Sequence, residues 1–197
     1  MSLTSTDSAR AGNAATVTLK GRCPDSLVRV VRAVVRLGLD WQATAEQVVG
    51  TLRGNLADPE ALLPERLLPE RLRHGDPACY QSHLLYAEPD GSFSIAAMVW
   101  LPGQQTVIHD HVAWCVTAVL QGHEYEEIFA LADGGRALEL VARNVNQAGT
   151  VSGFAPPGDI HRVRNTGDSV AISMHVYGAD ISRLGTSIRR EYTLPSR

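Results

Sequence analysis

The sequence predicts a mainly β chain, folded as a barrel or sandwich of the jelly-roll kind behind an N-terminal helical segment. Three observations predict it. From Tyr80 onward the hydrophobic period is two, which sends successive side chains to opposite faces of a strand. Turn residues interrupt that alternation at short intervals, at Pro89-Asp90-Gly91, Pro102-Gly103, Asp133-Gly134-Gly135, Pro156-Pro157-Gly158 and Thr166-Gly167-Asp168. No parallel strand–helix–strand pattern and no internal repeat competes with this reading. Many short, evenly spaced strands of this kind close as a jelly roll.

In chain order, residues 1–20 are rich in Ser, Thr, Ala and Gly without periodicity and are expected to be a mobile tail. Residues 21–197 form one domain, with helices over about 24–70 and a β-barrel over about 80–193. Leu27, Val30, Val31, Val34 and Val35 recur at three and four, which draws one apolar stripe of a helix. Pro24 suits its first turn and Gly38 its exit. A second helix spans about 43–56 with Ala45, Val48, Val49 and Leu52 inward, and a third begins at Asp58-Pro59. Pro64 and Pro69 break the helical pattern beyond it. The expected strands are 80–87, 93–101, 105–110, 114–121, 123–131, 137–145, 150–154, 160–165, 169–177 and 187–193.

Composition excludes several function classes. Apolar residues make up 44% and charged residues 20%, ordinary for a globular protein, and the net charge is −3. That balance gives no reason to expect nucleic acid or an anionic membrane as partner. No apolar run reaches the roughly 18–20 residues of a membrane span. Three widely spaced cysteines, Cys23, Cys79 and Cys115, argue against a disulfide scaffold and for a reducing, cytoplasmic setting. Nothing in the sequence speaks to oligomeric state.

Chemistry concentrates in three stretches. In Gly103–Gly122, His109 and His111 are separated by one residue, so on a strand both imidazoles share a face and can grip one metal ion. Asp110 then points the other way. The second stretch, Pro156-Pro157-Gly158-Asp159-Ile160-His161, offers a third imidazole. The third is Ser173-Met174-His175-Val176-Tyr177, where three polar side chains share one strand face. A lone histidine on a strand is more often a satisfied polar residue than a ligand. Three at motif spacing reverse those odds. Imidazole alone does not name the metal, because zinc and copper accept it too. His74, His83 and His123 read as structural or surface residues, Trp114 as wall or core, and Arg183, Arg189 and Arg190 as a solvated face.

The spacings Gly-x5-His-x-His-x3-Cys-x6-Gly and Pro-x-Gly-x2-His-x3-Asn resemble the two cupin motifs of a double-stranded β-helix barrel. Cys115 stands where that pattern usually carries a glutamate ligand. This departure, with His-Asp-His and the downstream Ser-x-His-x-Tyr, resembles the cysteine dioxygenase type I family of cupin thiol dioxygenases, which includes 3-mercaptopropionate dioxygenase. The resemblance runs from about Tyr80 to Tyr192. It implies Fe(II) held by His109, His111 and His161, and a relay of Ser173, His175 and Tyr177 ending at the metal site. It implies a small-molecule thiol and O2 as partners and a sulfinic acid as product. It also makes Cys115 and Tyr177 a candidate thioether pair, although Cys115 reads equally well as a small buried hydrophobe. Relatives acting on cysteine place an arginine two residues after a tyrosine at the first strand. Here that position is Ser82, with Gln81 one residue off. Relatives acting on 3-mercaptopropionate place a glutamine there and use an arginine near the C-terminus, which makes Arg190 the candidate for the substrate carboxylate. Two other classes compete: a metal cupin of another activity, such as an isomerase or a different dioxygenase, and a non-catalytic small-molecule-binding cupin. The first tends to keep the glutamate and needs no Ser-His-Tyr relay, and the second would not need three open positions on a redox metal.

Overall fold

The computed structural model describes residues 16–18, 23–55 and 67–194. The third helix expected at Asp58 lies outside the described residues. So do residues 1–15, 19 and 20 of the expected tail, but Thr16–Thr18 within that stretch form a short strand, β1, parallel to Ser82–Leu84. The tail therefore contributes a strand to the fold, which Thr-Val-Thr is too short to announce by its pattern.

Two helices precede the barrel. Helix α1 spans Asp25–Val35 and buries Leu27, Val28, Val31 and Val34. Val28 thus takes the buried place expected for Val30, which is half-exposed. Pro24 stands at its N-cap with a φ of −58°, a value that the pyrrolidine ring pre-sets. Helix α2 spans Trp41–Asn55 and points Ala45, Val48 and Leu52 inward. Asp40 starts it, its carboxylate accepting the Ala43 N–H at 2.8 Å.

The strands then run in order: β2 Gln81–Ala87, β3 Ser94–Trp100, β4 Ile108–His111, β5 Cys115–Gln121, β6 His123–Ala132, β7 Ala137–Gln147, β8 Val151–Phe154, β9 His161–Arg164, β10 Ala171–Tyr177 and β11 Ile188–Tyr192. Each expected strand is present. The one expected at 105–110 is shifted to Ile108–His111, and Gln105 makes only an isolated bridge to Arg164. The strands form two sheets, in the orders β1-β2-β3-β10-β5-β8 and β11-β4-β9-β6-β7, all pairs antiparallel except β1 with β2. This is a mainly β, cupin-type barrel of two facing sheets.

The central strands of the six-stranded sheet are buried on both faces because helices cover one and the second sheet covers the other. On β10, Ile172, Met174 and Val176 pack with Ile95, Ala97 and Val99 of β3 and Val31, Val48 and Leu52 of the helices. The alternate residues Ser173, His175 and Tyr177 turn to the barrel interior, so every residue of β10 is buried. Polar residues in such a strand survive only with partners.

Glycine is required at two places. Gly122 has φ +68°, and a Cβ there would sit 3.1 Å from the Val170 carbonyl oxygen. Gly178 comes directly after Tyr177, and its N–H donates to the Trp114 carbonyl at 2.9 Å. A Cβ on Gly178 would collide with the Trp114 indole. Trp114 is core, 3% exposed, so it has nowhere to go. Gly178→Ala is expected to cost about 1–3 kcal/mol through overpacking, read as a lower urea midpoint at an unchanged slope.

Candidate metal centre

Strand β4 carries His109 and His111 inward, with Ile108 and Asp110 on the opposite face. Ile108 packs with Phe129 and Ile160 behind the site. Asp110, 1% exposed, accepts Nη2 of Arg189 at 2.6 Å, Nη2 and Nε of Arg190 at 2.9 and 3.1 Å, and the Tyr192 hydroxyl at 2.8 Å. Burial alone would raise its pKa; the hydrogen bonds from Arg189, Arg190 and Tyr192 outweigh that and hold it at about 2. Arg190, the candidate for the substrate carboxylate, is placed on the Asp110 carboxylate. Its guanidinium is spent on Asp110 behind β4 and is not part of the cavity lining. Strand β11 pairs with β4 so that Arg190 lies opposite Asp110 in register, and a buried carboxylate attracts a nearby guanidinium.

His161 enters from β9, in register opposite His109. The ring centroids of His109, His111 and His161 are 4.6, 4.8 and 4.9 Å apart, and one ligand nitrogen from each lies within 4.8 Å of the others. All three are buried. Each Nδ1 faces an acceptor. His109 Nδ1–H donates to the Val107 carbonyl at 2.9 Å, His111 Nδ1–H to Asp159 Oδ2 at 3.0 Å, and His161 Nδ1–H to Glu126 Oε1 at 2.8 Å. Asp159 Oδ2 also accepts the His111 backbone N–H at 2.8 Å. Burial lowers the pKa of His109 well below the usual value and that of His111 to about 4 against the pull of Asp159, so both rings are neutral at pH 7.

A neutral ring with its proton on Nδ1 presents a bare lone pair at Nε2. Yet Nε2 of His109 and Nε2 of His111 lie only 3.1 Å apart. Two lone pairs at that distance repel, and no proton is left to sit between them. A cation resolves the contact: two nitrogens, each about 2.0–2.1 Å from one ion, are roughly 3–3.4 Å apart. The donor set, its tautomers and its spacing therefore fit a metal ion held by three imidazoles. The carboxylates that fix two of those tautomers, Asp159 and Glu126, were not singled out from sequence. The alternation of β6 turns Glu126 inward, and Asp159 lies two residues before His161, but neither pattern says what it meets. Glu126 has its pKa raised by burial and lowered further by His161, Asn144 and Asn146, to about 2. Glu126→Gln is expected to weaken metal affinity about 10–100-fold, measured by competition with a chromophoric chelator.

Beside the triad runs the polar face of β10. His175 Nε2 lies 2.9 Å from Ser173 Oγ, and His175 Nδ1 lies 3.2 Å from the Tyr177 hydroxyl and 3.8 Å from Cys115 Sγ. Trp100 Nε1–H donates to Ser173 Oγ at 3.4 Å. Burial lowers the His175 pKa to about 3 and raises those of Tyr177 and Cys115 far above their usual values, so all three are uncharged. Tyr177 and Cys115 are register partners across β10 and β5.

A cavity of about 380 Å³ opens over these groups. His109, His111, His161, His175 and Tyr177 line it, as do Ser82, Thr106 and Ser187 and the apolar walls of Met98, Phe154 and Val163. Ser82 faces the cavity. Gln81, the alternate residue, instead directs Nε2 to the Cys79 carbonyl at 3.4 Å. Among the described residues, none of those lining the cavity is lysine or arginine.

The family model for cysteine dioxygenase type I matches residues 71–186, well over half of the chain. The chain belongs to the cysteine dioxygenase type I family. The matched span holds the three histidines, the Ser-His-Tyr face of β10 and Cys115. Solved structures of similar fold include an oxalate oxidase in complex with glycolate, at 20% identity over 53% of this chain and 53% of that one, TM-score 0.42. They also include TT1209 from Thermus thermophilus, at 21% identity over 56% and 92%, TM-score 0.42. A cupin 2 conserved barrel domain protein from Salinispora arenicola CNS-205 is similar at 22% identity over 56% and 82%, TM-score 0.39. The chain spans about half the length of the oxalate oxidase. Within the family's fold, the three-histidine centre supports a metal cofactor, and no helix among the described residues is long and apolar enough to cross a membrane.

Proposed function

We propose that the protein is a non-haem iron thiol dioxygenase that converts a small thiol and O2 to the corresponding sulfinic acid. The observation that carries this reading is the shared cavity: three metal-directed imidazoles and the Tyr177 hydroxyl open onto one space just large enough for a small molecule. Fe(II) held by His109, His111 and His161 would supply a dipositive centre that lowers the thiol pKa and couples it to dioxygen. Family membership is what favours iron over other ions that accept imidazole.

The chain's own residues do the rest. Three imidazole ligands add no negative charge, so a thiolate approaches without repulsion from a ligand carboxylate. Met98, Phe154 and Val163 exclude water around the sulfur, and Phe154 wedges against the rings of His111 and His161 at 4.5 and 5.0 Å. Tyr177, uncharged and backed by His175, presents a hydroxyl that orients the reacting groups through hydrogen bonding. Ser82, Thr106 and Ser187 take the head group by neutral hydrogen bonds in place of an arginine fork. Buried polar contacts of this kind discriminate strongly between head groups.

The test is stoichiometry and isotope incorporation with a panel of small thiols on iron-loaded protein. One O2 should disappear per sulfinate formed, with both oxygen atoms in the product. A disulfide product, or oxygen derived from water, would sink the reading. L-cysteine should be a poor substrate beside a thiol without the α-amino group, and a clear preference for L-cysteine would overturn the assignment of Ser82 to the head-group position.

A further inference from the structure

We propose that Leu184 is a specificity-determining residue of the cavity: it stands at the mouth as an apolar contact for the far end of the thiol, and so selects thiols with an uncharged end long enough to reach it. Turnover of such thiols rests on the dioxygenase reading above; the order in which they bind does not.

The cavity has a floor and a mouth. His109, His111 and His161 are 4%, 4% and 7% exposed and form the floor. Leu184 lines the same cavity and is 53% exposed, so it stands where the cavity meets solvent. A single exposed leucine is ordinary on a protein surface. This one differs because a ligand that fills the cavity would cover it. Ile181, 4% exposed, continues the apolar wall inward and packs in one cluster with Tyr177 and Cys115. A thiol whose sulfur lies at the floor therefore directs its other end along Ile181 toward Leu184.

The position of Leu184 is set by backbone tethers on both sides. It ends a short helix, α3, Ile181–Leu184. Asp180 caps that helix, its carboxylate accepting the Ser182 N–H at 3.0 Å, and the Ile181 N–H donates to Ser94 Oγ at 3.3 Å. The Gly185 N–H donates back to the Ile181 carbonyl at 2.9 Å. Beyond it, the Ser187 carbonyl accepts the Val112 N–H at 3.0 Å, and Ile188 lies in register with His111. The segment that carries Leu184 is thus tied to β3 at one end and to the ligand strand at the other. A wall built before the ligand arrives loses little freedom when the ligand meets it.

The charge of the far end follows from what surrounds it. Among the described residues, those lining the cavity include no Asp, Glu, Lys or Arg. The arginines close to Leu184 in the chain are engaged elsewhere. Arg183 meets Asp180 at 3.0 Å, and Arg189 and Arg190 meet Asp110 at 2.6 and 2.9 Å on the outer face of β4. The positive charge of the metal is met by the thiolate at the other end of the molecule. A carboxylate at the Leu184 end would lose water without gaining a cation, whereas an amide or hydroxyl loses less. Mostly apolar walls with a few hydroxyl-bearing residues suit a neutral, hydrogen-bonding molecule.

The experiment uses full-length protein loaded with cobalt(II), whose thiolate absorption band reports binding without turnover. The probes are ω-mercaptoalkanamides of three to six carbons, each beside its carboxylate. Affinity should rise up to about fourfold per methylene along the amides, and each amide should bind at least about tenfold tighter than its carboxylate. Leu184→Ala should flatten the series, weakening the longest amide about tenfold and leaving the shortest within about twofold. Leu184→Arg should reverse the charge preference, favouring the longest carboxylate about tenfold over its amide. Leu184 is exposed, so neither substitution opens a core. A flat wild-type series, a wild-type preference for carboxylates, or a charge preference unchanged in Leu184→Arg overturns the proposal. In iron-loaded protein the same order should appear in kcat/KM. If the binding order holds and no thiol yields a sulfinate, the dioxygenase reading falls and the role of Leu184 stands. If sulfinates form with a thiol preference indifferent to Leu184, the role of Leu184 falls and the dioxygenase reading stands.

Discussion

His161→Ala is expected to leave less than about a tenth of the wild-type metal bound and to lose turnover in the same proportion. Three imidazoles converge on one point, and β9 supplies the only one that does not come from β4. Two neutral nitrogens on a single strand make a weak, open chelate. Glu126 also loses its partner. A buried carboxylate left without the N–H that it accepted is penalised by a few kcal/mol on the scale of about 3–5 for broken buried pairs, which Asn144 and Asn146 offset in part. The variant should therefore unfold earlier than metal-free wild type, as well as earlier than the loaded protein. Elemental analysis gives the metal content, an oxygen electrode the turnover, and a melt of both apo forms the third quantity. Full occupancy in His161→Ala would refute the ligand set. Lost activity at full occupancy would move His161 from the metal to the substrate.

The sequence made the barrel legible because one face of most strands is buried and the other is not, or because both are. Alternation and continuous apolar runs each leave a mark, and the turns fall at Gly and Pro. The ligand triad was legible for the same reason. His109 and His111 share a face by period two, and His161 comes after a Pro-Gly turn that holds the chain beside them. What the sequence did not disclose are contacts across the fold. Arg190 looked free because its partner, Asp110, lies 80 residues away in the chain. Period two sends Glu126 inward but does not say that it meets His161. β1 escaped because three residues carry no period. Ser82 versus Gln81 was ambiguous by alignment and is decided by strand parity, since only one of two neighbours can face the cavity.

Tyr177→Phe is expected to lower kcat about 100-fold, while Cys115→Ser costs less than about tenfold. Both side chains reach for the same atom, His175 Nδ1, the phenol at 3.2 Å and the thiol at 3.8 Å. A neutral imidazole has one lone pair to give, and burial keeps both competitors protonated. The shorter contact wins most of the time, and the thiol perturbs it. Serine keeps a competitor of similar size, so Cys115→Ser should shift turnover modestly, whereas phenylalanine removes the hydroxyl itself. A thioether between Cys115 and the Tyr177 ring would end the competition. It removes the S–H and one ring C–H, two hydrogens in all, with O2 as the oxidant, and leaves Nδ1 to the phenol alone. Register pairing of the two residues brings their Cα atoms opposite one another, the arrangement such a link needs. We therefore expect a fraction of protein that has turned over to be lighter by two hydrogens, with the loss mapped to the peptide pair and absent from Cys115→Ser. That fraction should be faster than the unlinked form, not the sole active species. If the link never forms after many turnovers, Cys115 is packing. If Cys115→Ser loses more activity than Tyr177→Phe, the thiol and not the phenol faces the chemistry.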